Sequence, residues 1–298
     1  MLECGMLAAK RLRAFIVLGM SAVLASGCNS PDRVMDIPAA PDTAPKSIET
    51  IKSYDEALSA IVPVMVKELN LPALQGRLYF YSDAGAYQTA LTTELKSLFP
   101  EGESRQARNS LEFELFKLTT NLVNESGGIT MNQKVFIAEW SMMRLPWRDR
   151  VRTLAHELTH VIQSNLSAGQ SQLMHHWLVE GFADWVSFKV VDALGTKDFF
   201  NDQIRQACRY KIANLRELET IEGWHSPLRK IRYGQSACAV NYMSVQGGVP
   251  AVLNYFHLFK EKFDAEENFA TAFGKSNNAF NQELHAQAKS TRDCGPLN

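Results

Sequence analysis

The chain has 298 residues, 46% of them hydrophobic and 21% charged, with 31 Lys and Arg against 32 Asp and Glu. A formal net charge of −1 and the lack of a basic patch exclude the electrostatic footprint that nucleic-acid binding requires. No internal repeat or low-complexity tract appears.

At the N-terminus, Lys10, Arg11 and Arg13 precede an almost wholly apolar run from Ala14 to Leu24. That run is too short for a permanent membrane span and has the length of a secretory signal core. A buried helix would keep a polar face, and this stretch has none. The sequence Leu24-Ala25-Ser26-Gly27-Cys28 resembles a bacterial lipobox. The resemblance implies a signal peptide over 1–27 and a lipid on Cys28. It also implies an exported protein, anchored to a membrane and facing the periplasm or the cell surface. A start at Met6 would shorten the signal and leave Cys4 out of the product. Pro31, Pro38, Pro41 and Pro45 then mark residues 28–50 as a semi-extended tether, because proline fixes φ and removes backbone donors.

One folded body is expected over 51–298, long enough for a large domain or two lobes sharing a cleft. Residues 51–70 have helical apolar spacing broken at Pro63, RLYFYS (77–82) reads as a strand, and 83–99 returns to the helical period. GGITMNQKVFIAEW (127–140) reads as a second strand region. From Pro146 onward the pattern is helical, with segments separated by glycine, proline and asparagine signals. A few strands followed by many helices predict an α+β fold. Removing Cys4 and lipidating Cys28 leaves Cys208, Cys238 and Cys294. In an exported chain one disulfide and one free thiol are expected. Three pairings are open, and Cys208 with Cys238 is favoured because each lies in a helix-like segment flanking one loop.

The chemistry concentrates in TLAHELTHVIQ, residues 153–163. His156 and His160 are one helical turn apart and project from one face, a spacing that lets two imidazoles meet one Zn²⁺. Glu157 is rotated about 100° from His156, so it stands beside the ion's water and not on the ion. With seven histidines in the chain, this motif arises by chance about once in a hundred such sequences. A catalytic zinc needs a third protein ligand and an open fourth position. HHWLVEGFADWV supplies Glu180, a carboxylate in an otherwise apolar helix, where burial is costly unless the group is paired or metal-bound. Asp184, four residues on, can accept the spare ring N–H of a histidine ligand.

HELTH followed by Glu180 and Asp184 in EGFAD resembles the gluzincin branch of zinc metallopeptidases, including thermolysin-like and M1- and M61-like peptidase domains. The match is specific over 153–186 and looser over 75–290. KVFIAEW looks like the family's substrate-binding edge strand, and residues 232–256 look like its helical half. The resemblance implies a zincin-like fold, in which a small antiparallel-edged sheet is followed by a mainly helical lobe with the cleft between them. It implies one Zn²⁺ on His156, His160 and Glu180, Glu157 as general base, and a peptide or protein substrate. The family commonly places a tyrosine or histidine at the oxyanion. His225, Tyr233 and Tyr242 are candidates, and Tyr233 is chosen from its place at the start of a downstream helix, although a packed ring is the simpler account. His175 and His176 read as satisfied histidines, since three ligands suffice. The aromatic residues between 182 and 188 read as core.

These readings predict metal-assisted peptide hydrolysis, as an endopeptidase because no device for holding a chain terminus is evident. Two rivals compete. A non-catalytic lipoprotein could hold a protein or peptide in the same fold, but it would not need Glu157. A structural zinc domain would want a fourth protein ligand, which is not evident.

Overall fold

The computed structural model describes residues 30–40, 47–97, 119–120, 127–131, 133–208, 215–218 and 229–290. The expected signal segment, Cys28, His225 and Cys294 lie outside these residues. The fold is α+β, mostly helical, with one four-stranded sheet. Its strands are β1 (Arg33–Asp36), β2 (Arg77–Tyr81), β3 (Gly128–Met131) and β4 (Lys134–Ala138), in the order β1-β2-β4-β3. The chain divides into two compact units. One comprises Met1–Val34, Tyr79–Gly127 and Phe136–Met142, and the other Met35–Leu78, Gly128–Val135 and Met143–Asn298.

The first unit is built on aromatic packing. Helix α2 (Ala84–Ser97) is capped by Asp83, whose Oδ1 accepts from the Ala86 N–H at 2.8 Å, satisfying a donor the helix cannot. The α2 helix buries Tyr87 completely, edge-on to Tyr81 at 5.8 Å and to Trp140 of the short helix α3 (Glu139–Met142) at 5.2 Å. Tyr79 stacks on Phe136 at 5.7 Å.

The second unit carries the remaining helices, α1 (Tyr54–Pro63), α4 (Trp147–Leu166), α5 (His176–Ala193), α6 (Phe199–Cys208), α7 (Arg229–Leu258), α8 (Ala265–Phe273) and α9 (Asn277–Ser290). Ser53 caps α1 through the Glu56 N–H, and past Pro63 the chain runs on as a π-helical turn over Val64–Glu68. Proline removes a donor and disturbs the i→i−4 ladder there. The α5 helix is largely apolar: Trp177, Leu178, Phe182, Ala183, Val186, Val190 and Val191 are all fully buried. A helix of that kind belongs in the centre of a helical unit. Trp177 stacks on Phe280 of α9 at 5.8 Å, and Phe182 packs on Phe256 of α7. The aromatic residues of 182–188 are therefore core, as expected. No described helix is long and apolar enough to cross a membrane.

Three expectations need correction. Arg33–Asp36 lies inside the supposed tether yet pairs with β2, through Asp32 N–H to Phe80 O at 2.8 Å and Ile37 N–H to Gly76 O at 3.2 Å. Between Pro31 and Pro38 six residues keep their N–H groups, enough for an antiparallel edge strand. Residues 127–140 are not one strand but β3, β4 and the start of α3, with the reversal at Gln133, whose φ is 64°. KVFIA is accordingly the inner strand β4, and the edge on that side of the sheet is β3.

Candidate metal centre

Helix α4 follows Pro146, whose fixed φ suits a helix start. Its buried Val151, Leu154, Ala155, Leu158, Val161 and Ile162 recur at helical spacing and seat it in the second unit. That seating turns His156 and His160 toward α5, where the apolar sides of the helix leave Glu180 and Asp184, one turn apart, facing them.

Among the described residues, His156, His160 and Glu180 form a group whose ligand atoms all lie within 4.8 Å of one another. The Nε2 atoms of the two histidines are 3.1 Å apart. Glu180 Oε2 is 3.3 Å from His156 Nε2 and 3.7 Å from His160 Nε2. Tetrahedral ligands on bonds of about 2.0–2.1 Å stand roughly 3.3 Å apart, so the three atoms stand at separations that one tetrahedral ion could bridge.

The outer ring nitrogens fix which lone pairs face inward. Asp184 Oδ1 lies 2.9 Å from His156 Nδ1, and a carboxylate accepts, so Nδ1 carries the proton. Gln163 is fully buried; its Nε2 donates to Val179 O at 2.8 Å, which directs its Oε1 at His160 Nδ1, 2.7 Å away. His160 therefore also donates from Nδ1. Both Nε2 lone pairs then face one point, and two bare lone pairs at 3.1 Å favour a cation or a proton there. Burial opposes the charge on His156, but Asp184 and Glu180 outweigh it and hold its pKa up to about 10. His160 is raised for the same reason, burial being overcome chiefly by Glu180. Burial would raise the Glu180 pKa; the charge of His160, the hydrogen bonds of both histidines and the nearby His176 hold it well below the usual range. The residues fit a divalent metal: a neutral His₂ pair plus one carboxylate, each histidine oriented from behind.

Glu157 is outside the triad, as expected, and is only 6% exposed. Thr130 of β3 reaches it, with Oγ1 at 2.7 Å from Glu157 Oε2 and 3.0 Å from its backbone oxygen. The Tyr233 ring lies 6.1 Å from the His156 ring, at 52° to it, so this expected residue is brought to the centre. Tyr242 is not, packing instead on Phe280 at 5.9 Å. His175 stacks on Tyr255 and meets Phe269 edge-on, a core histidine as expected. His176 stands one turn before Glu180. Cys238 is in a disulfide, with a partner whose side chain lies outside the described residues.

Sequence reasoning missed Gln163 and Thr130. Gln163 carried a signal, a polar side chain one turn after His160 on the same face, but Thr130 carried none. Compared with known protein families, characterised proteins and solved structures, the chain shows no match.

Proposed function

We propose that the chain is a zinc-dependent endopeptidase of the gluzincin type. The observation that carries the reading is the convergence of two Nε2 lone pairs and the Glu180 carboxylate within 3.7 Å of one another, beside a buried carboxylate that takes no part in the cluster. His156, His160 and Glu180 would hold the ion, which supplies Lewis acidity that activates water and polarises a carbonyl. Asp184 and Gln163 keep both histidines in the tautomer that presents Nε2. Glu157 takes a proton from the attacking water, whose oxygen bonds to the scissile carbonyl carbon. The same carboxyl then returns that proton to the departing nitrogen as the C–N bond breaks, leaving a carboxylic acid and an amine. Tyr233, whose ring lies beside that of His156, would steady the carbonyl oxygen as it gains negative charge.

Glu157→Gln separates catalysis from mere binding. It preserves shape and leaves the triad untouched, so zinc content and thermal stability should hold while cleavage of a peptide mixture falls about 10²–10⁴-fold. Equal rates in the two proteins would remove Glu157 from its role. A zinc-loaded wild type that cuts nothing would leave a metal-holding binding protein.

A further inference from the structure

We infer that Thr130 positions the Glu157 carboxylate for proton transfer; the inference rests on the peptidase reading above. A free glutamate side chain turns about three bonds, and each rotamer aims its oxygens differently. Here one hydroxyl takes that freedom away. Thr130 has a single O–H proton and meets two acceptors on one residue, Glu157 Oε2 at 2.7 Å and Glu157 O at 3.0 Å. The side chain of the base is thus tied to its own backbone through a third group. With Oε2 engaged, Oε1 is the oxygen left to receive the proton.

The tie comes from outside the ligand helix. Thr130 belongs to β3, the edge of the sheet, whereas both histidines and Glu157 belong to α4. Partners of this kind keep reacting groups in productive geometry, and a small misplacement costs rate out of proportion to its size. The plainer account is that Thr130 only satisfies a buried carboxylate. The two differ in what happens once Glu157 has lost its charge.

The test uses the full chain loaded with Co²⁺, whose visible absorption reports on its ligands, and titrated with acetohydroxamate. This probe chelates the metal and yields its hydroxyl proton to a neighbouring carboxylate. Wild type, Thr130→Val, Thr130→Ser, Glu157→Gln and the Thr130→Val/Glu157→Gln double variant are compared. All should bind one Co²⁺ per chain and be folded at the temperature of the titration, with Thr130→Val unfolding somewhat earlier than wild type because it strips a buried carboxylate of its donor. Thr130→Val should bind the hydroxamate about tenfold more weakly, the weight of one hydrogen bond to a charged group. Thr130→Ser should restore wild-type affinity, and Thr130→Val should add no loss to Glu157→Gln, because it acts only through that carboxylate. Equal affinity in wild type and Thr130→Val overturns the inference. An additive loss in the double variant does so too, as does metal lost from Thr130→Val but kept by wild type. A wild type that takes up no Co²⁺ defeats the peptidase reading, and this inference with it.

Discussion

His160 and Gln163, three residues apart on α4, show how much of this centre is decided by single atoms. Because the Gln163 amide is pinned by Val179 O, its oxygen must face the imidazole, and the imidazole must present Nε2 to the cluster. Protons then compete with metal for the same place. The His156 pKa stands at about 10 against an ordinary 6.5, so its charge stabilises the metal-free fold fully below the ordinary value, and that contribution is lost as pH rises through 10. Glu180 moves the other way: its ionised form stabilises above the usual 4.5, and the gain disappears on acidification below that range. At pH 7 an incoming ion therefore displaces at least one histidine proton. Calorimetry in buffers of different ionisation enthalpy should find that release, and uptake without proton release would contradict the paired state described here. The ligands and Asp184 were legible because four-residue spacing on a helix is itself geometry. Thr130 was not, since it reaches Glu157 from a strand whose register no local pattern announces.

Between helices the decisive residue is Gly181, next to the candidate ligand Glu180. A Cβ built there would lie 2.5 Å from Ser236 O and 2.6 Å from Ser236 C, both backbone atoms of α7. Backbone cannot swing aside as a side-chain tip can, so the two helices must separate. Gly181→Ala should cost about 1–3 kcal/mol, the usual range for overpacking, despite the better helix propensity of alanine. It should also weaken metal binding by moving Glu180. Urea unfolding of the metal-free protein, together with a zinc titration, checks both effects, and unchanged values in both would show that the contact is loose. The helices themselves were readable from apolar period, and so was the interruption in α7, where Gly248 at φ 75° and ψ 166° leaves the helical region ahead of Pro250. The β3–β4 reversal was not plain, although the sequence carries Asn132 there, because the positive φ falls on Gln133, where a glycine would have made the turn evident. Nor was β1, whose four residues lie in the six-residue gap between Pro31 and Pro38, in a segment marked by four prolines.

For the molecule as a whole, an ion at the candidate metal centre would tie folding to cation supply. All three candidate ligands lie on α4 and α5, the pair that buries much of the apolar core of the second unit. An ion held between them binds the folded state and leaves the unfolded chain nearly untouched, so it stabilises by mass action. Free zinc at a hundred times its dissociation constant should add about 2.7 kcal/mol. For a unit of this size that raises the melting temperature by roughly 5–10 °C, and excess chelator should reverse it. Glu180→Ala should abolish the shift, since two histidines alone would hold the ion far less tightly, while Glu157→Gln should keep it, because the proposed role of that carboxylate is in the reaction and not on the ion. The pair of variants makes the measurement specific. A zinc shift surviving in Glu180→Ala would place the ion elsewhere, and a shift lost in Glu157→Gln would make Glu157 a ligand and not a base.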